Sequence, residues 1–178
     1  MTPSNNFIFK VLHIIAWIIF AGLCIEAGAL LVNFIFSITK PESVDKLYLK
    51  LDLSEMYQRS QWAFYGMYSF ILFIAGLKAY LFYVLVMLMH KIDMAKPFDD
   101  FVAAEILKIS YTTFSIGIIS HIGRQTAKSL THYGHSVTEL NQFWEDGQAF
   151  ILMAAVIYVI GHIFKRGVAL QTENDLTV

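Results

Sequence analysis

Residues 7–36, FIFKVLHIIAWIIFAGLCIEAGALLVNFIF, form an almost unbroken apolar run with a glutamate, Glu26, deep inside it. A helix of roughly 20 apolar residues crosses a ~30 Å hydrocarbon core, so this run has length to spare for tilt. A carboxylate at that depth costs about 2.5 kcal/mol or more unless a partner or water satisfies it. Other helices must therefore meet the face that carries Glu26.

Composition agrees. The chain has 178 residues, 57% hydrophobic and 15% charged, whereas globular domains sit near ~45–50% apolar and ~25% charged. The class is membrane protein, and the length suits one transmembrane domain over residues 1–178. A net charge of -1 without basic clusters argues against direct nucleic-acid binding. Cys24 is the single cysteine, so no intrachain disulfide can form. The first apolar run is too long for the core of a signal peptide, and Glu26 interrupts the cleavage zone. We expect it to stay in the membrane.

Four apolar segments emerge, at about 7–38, 62–90, 102–124 and 143–164. Pro41 ends the first, because the residue before a proline is pushed out of the helical region. In the loop that follows, residues 47–53 alternate leucine with Tyr48, Lys50 and Asp52, the period of a half-buried extended piece. It lies on the membrane surface or caps the bundle. Ser54 suits the N-cap of the second helix, which enters the bilayer at Trp62, Tyr65 and Tyr68. Pro97, Asp99 and Asp100 start the third. Ser136 and Glu139 form a capping box ahead of the fourth. Lys165-Arg166-Gly167 reads as a helix-end signal, followed by a polar tail over 167–178. The fold class is all-α: an integral membrane four-helix bundle with a short extended segment in the first loop. Four spans put both termini on one side. That side carries five cations (Lys10, Lys91, Lys96, Lys165, Arg166) against six opposite (Lys40, Lys46, Lys50, Arg59, Arg124, Lys128). The count gives no bias, and the termini are placed in the cytoplasm as a preference.

Membrane helices associate through small residues and interhelical hydrogen bonds. Such stripes run through Gly22, Glu26, Ala29 and Asn33; through Ser110, Thr113, Gly117, Ser120 and Arg124; and through Ala154, Tyr158, Gly161 and Lys165. They predict one compact bundle with its polar seams turned inward. At 1.5 Å per residue from the shared ends, Glu26 lies ~25 Å deep, Lys78 ~20 Å, His121 ~28 Å and Gln148 ~24 Å. The intramembrane polar or ligand candidates are thus Glu26, Asn33, Lys78, His121 and Arg124. Glu26 can pair with Lys78, or with His121 and Arg124, as a structural ion pair or as a site for an ion or small ligand. Bis-histidine haem ligation suits a four-helix bundle, and His13, His90 and His162 share one side; but no CxxCH or HExxH spacing accompanies them. We expect no metal and no cofactor. No phosphate loop, nucleophile elbow or zinc set appears, and no catalytic residue is proposed.

Several stretches carry a family resemblance: HIIAWIIFAGLCIEAG in the first span, GLKAY in the second, KPF after it, and above all the closing IFKRGVALQTENDLTV. Together they resemble a bacterial membrane family catalogued as domain of unknown function 2975. The resemblance implies a four-helix inner-membrane protein, often encoded beside a small helix-turn-helix regulator, and brings no catalytic residues. By that analogy the chain is expected to be a non-enzymatic sensor or anti-regulator that holds such a transcription factor at the membrane. The partner-binding candidates are Lys165, Arg166, Leu170, Glu173, Asp175, Leu176 and Val178, since the tail sets apolar residues among polar ones. The alternative is a small transporter or ligand-binding bundle that uses Glu26 and Lys78.

Overall fold

A computed structural model describes residues 3–47, 49, 51–93, 97–132 and 137–175. Five α-helices follow in order: α1 (Pro3–Thr39), α2 (Ser54–Arg59), α3 (Gln61–Lys91), α4 (Asp100–His132) and α5 (Gly147–Asp175), with 3-10 turns at Pro41–Lys46 and Thr138–Phe143. All but α2 are long and apolar enough to cross a membrane, and no strand occurs among the described residues. The chain is a multi-pass, all-α membrane bundle. Helices are the expected form, since lipid offers the backbone no hydrogen-bond partners.

The four long helices pack in sequence order: α1 on α3, α3 on α4, and α4 on α5, the last interface being the most extensive. No comparable interface joins the first and last helices among the described residues. The bundle is therefore open rather than compact. Half of the α4 span is buried, against 6% of the α1 span. The polar stripes explain this difference. Ser110 donates from Oγ to the Ala154 carbonyl at 2.9 Å. A Cβ on Gly117 would stand 2.5 Å from Ile151, one on Gly147 2.9 Å from Ser120, and one on Gly161 2.7 Å from Leu107. Small residues let the α4 and α5 backbones approach, as membrane helices require. The α1 stripe turns inward chiefly at its Asn33 end. Gly22 is exposed, with nothing within 4 Å of where its Cβ would stand.

The first loop caps one end of the bundle. Leu51, Leu53 and Met56 are buried, while Asp52 between them is exposed. Tyr48 and Lys50 lie outside the described residues. Asn33 Nδ2 donates to the Leu51 carbonyl at 3.1 Å, so a polar group of the first span anchors the cap. Ser54 begins the short α2, and Ser60 caps α3 by accepting from Ala63 N at 3.4 Å. Trp62 is exposed, but Tyr68 is fully buried. Its ring packs on Phe34 and Phe64 at 5.1 and 4.9 Å, and its hydroxyl lies 3.4 Å from Ser37 Oγ. This tyrosine belongs to the core and not to an interfacial belt.

Asp99 caps α4, its Oδ1 accepting from Phe101 N at 2.7 Å. Ahead of α5, Glu139 lies in a 3-10 turn that buries Leu140 and leads to the buried Trp144; Ser136 lies outside the described residues. The Lys165-Arg166-Gly167 signal does not end a helix, because α5 runs on through Asp175.

Candidate functional site

Glu26 and Lys78 reach the same place from α1 and α3. With Leu23, Ile74, Ala75 and Phe143 they line a cavity of about 10 Å³, room for about one water. No ion pair within 4.0 Å joins them. Lys78 Nζ stands 5.7 Å from the Phe150 ring centroid instead, facing α5. The face of an aromatic ring attracts a cation at this range without a direct bridge. His121 and Arg124, the other candidate partners of Glu26, are exposed and do not line this cavity. Asn33 serves the loop cap, as described above.

At the opposite end, where the termini lie, the α3–α4 connection meets the far end of α5. The Phe98 ring packs on Phe164 at 5.4 Å between centroids and covers Gly167. A Cβ there would lie 2.5 Å from Phe98 Cδ1. Nearby, Lys91 Nζ sits 4.7 Å over the Phe101 ring. From Phe164 onward, α5 therefore has two faces. Phe164, Gly167, Val168 and Gln171 are half-buried, the first two against Phe98, whereas Lys165, Arg166, Ala169, Leu170 and Glu173 are exposed. The spacing i, i+1, i+4, i+5, i+8 puts this exposed set on one side of the helix. Four of the partner-binding candidates thus share one outward face. Asp175 closes the helix, its side chain outside what is described; Leu176 and Val178 lie outside the described residues altogether.

One charged pair escaped the sequence reading. Glu105, buried near the start of α4, is bridged to Lys108. The i, i+3 spacing in Glu105-Ile106-Leu107-Lys108 was the available signal. Of the histidines on the terminal side, His13 and His90 face each other with ring centroids 6.0 Å apart, and His162 packs on Tyr158 at 4.4 Å. His13 Nε2 is buried without a hydrogen-bond partner among the described residues. No group of three or more potential metal ligands occurs among the described residues.

A family model described as "Protein of unknown function (DUF2975)" matches residues 48–178, which take in most of the loop cap and α2 to α5 and begin just beyond α1. No curated protein and no solved structure matches the chain.

Proposed function

The chain belongs to the DUF2975 family, and from that membership and the geometry above we propose that it is a non-enzymatic sensor or anti-regulator of the bacterial inner membrane. It would hold a small helix-turn-helix transcription factor on its cytoplasmic side. One observation carries this reading: α5 leaves the membrane as a braced helix, not as a loose tail. Its 29 residues run ~43 Å at 1.5 Å each, beyond the ~30 Å of a hydrocarbon core. Phe98 packs against its inner side, and Lys165, Arg166, Leu170 and Glu173 stand together on the outer side. An ordered face combining cations, an apolar residue and an acid suits docking of a soluble protein, because little ordering entropy is lost on binding.

The test is a pull-down from native membranes with the chain tagged at its N-terminus, read by mass spectrometry. We expect a small helix-turn-helix protein to be recovered with the intact chain, and lost when residues 168–178 are removed or when Arg166→Glu is combined with Leu170→Asp. Equal recovery with these variants would overturn the proposal. The transporter alternative asks for a polar cavity that reaches Glu26, and the space there is about 10 Å³.

A further inference from the structure

We propose that the groove between α4 and α5 binds one anionic phospholipid, its acyl chain in the groove and its phosphate between Lys165 and Arg166. The groove measures about 430 Å³ and is lined, among others, by Ser110, Tyr111 and Phe114 of α4 and by Ile151, Ala155 and Tyr158 of α5. That volume falls in the ~300–1,000 Å³ range of small-ligand sites. Buried Ser110 and Ala154 form its floor, where the Ser110 hydroxyl is already bonded to the Ala154 carbonyl at 2.9 Å. Exposed Tyr111, Phe114 and Tyr158 form its walls, and no lining residue carries a charge.

Register, depth and charge select the occupant. On α5 the groove residues Ile151, Ala155 and Tyr158 are followed at the same helical spacing by His162 and Lys165. Positions i, i+4, i+7, i+11 and i+14 share one face, so the groove leads to Lys165, with Arg166 on the other flank of the same line. The ring of Tyr158 meets His162 edge-on, 4.4 Å between centroids, so the line is continuous. Phe98 packs on the opposite side of α5, against Phe164 and Gly167, and leaves this line open. Lys165 directly follows Phe164, the last apolar residue of the span, which puts both cations at headgroup level. Along α5 the groove runs from ~9 Å to ~21 Å deeper than Lys165. A leaflet is half of a ~30 Å hydrocarbon core, so the groove holds the inner part of a chain anchored there. Both cations are exposed and without an ion pair among the described residues. Asp100 starts α4 at this end, where the positive end of that helix offsets its charge. A basic pair above an apolar groove between spanning helices complements a negative headgroup better than a zwitterionic one. This inference does not rest on the regulator-binding reading, although both use the same two cations.

The experiment is native mass spectrometry of the full chain in detergent micelles, titrated with phosphatidylglycerol or with phosphatidylcholine of the same acyl chains. We expect phosphatidylglycerol to be retained at concentrations about tenfold lower, as two interfacial cations imply. Lys165→Gln with Arg166→Gln should abolish that preference. Lys10→Gln with Lys91→Gln, which removes two cations at the same end of the bundle, should leave it intact. Ala155→Trp, which fills the groove from its exposed side, should weaken retention of both lipids. Equal retention of the two lipids by the wild type would overturn the proposal. So would a preference that survives the Lys165/Arg166 change or disappears with the Lys10/Lys91 change, or retention that Ala155→Trp leaves untouched. A dimer that carries no lipid would seat a second copy in the groove and overturn it as well.

Discussion

The Phe98 ring occupies the space that a side chain at position 167 would need, its Cδ1 lying 2.5 Å from where a Gly167 Cβ would stand. Glycine is required here for close approach and not for chain reversal, since α5 continues through it. Gly167→Leu should expel Phe98 at a cost of about 1–3 kcal/mol, the usual price of overpacking. Protease cleavage between residues 92 and 99 should accelerate while the spans stay helical. Phe98→Ala should remove most of that penalty, so a double-mutant cycle of thermal midpoints that proved additive would count against the contact.

The α4–α5 seam makes a contrast among glycines. Gly117→Leu meets Ile151 and the Gly147 carbonyl and should destabilise the protein by about 1–3 kcal/mol. Gly22→Leu and Gly28→Leu point into open space and should stay within about 0.5 kcal/mol. Thermal denaturation in detergent compares them directly; equal effects would mean that α1 is packed more closely than described.

Asn33→Leu leaves the Leu51 carbonyl without its donor. We expect a loss of about 1–3 kcal/mol, the cost of stranding a buried acceptor, together with faster proteolysis within residues 47–53. An unchanged digestion rate would show that the apolar side chains Leu51, Leu53 and Met56 hold the cap alone.

His13 poses the opposite case, a buried ring nitrogen with no hydrogen-bond partner among the described residues. His13→Phe keeps a ring against His90 and removes the unsatisfied atom. It should raise stability by about 1 kcal/mol. A lower melting temperature would reveal a hydrogen bond that the imidazole makes through water.

Glu26→Gln and Lys78→Met should be coupled, by about 0.5–2 kcal/mol, because both groups border one water-sized space. The coupling is expected without a direct bridge, since attraction reaches further where water is scarce. Strict additivity of the thermal midpoints would separate the two groups.

Much of this architecture can be read from the chain alone, and the reasons differ by residue. Counting depth along helices brought Glu26 and Lys78 to one level, because the helical rise is fixed. The stripes through Ser110, Gly117 and Ser120 and through Ala154 and Gly161 marked a real seam, because only small residues permit that approach. Gly167 misled, because glycine serves helix ends and close contacts alike, and only the distant Phe98 tells them apart. Tyr68 misled in the same way, since a tyrosine near a helix start suits the headgroup region as well as an aromatic core. The serial packing was not legible either. An apolar face looks the same whether lipid or a neighbouring helix covers it.

That serial packing bears on how the protein is made. Each spanning helix after the first packs on the spanning helix synthesised immediately before it. Assembly can therefore proceed vectorially, with α3 docking on α1, α4 on α3 and α5 on α4 as each leaves the insertion machinery. Few long-range encounters need to wait, and local closure of this kind favours rapid, orderly folding. The last step differs from the others. When the end of α5 meets Phe98, a segment that emerged one whole hairpin earlier is finally covered, and the outward face of α5 is braced only from that moment.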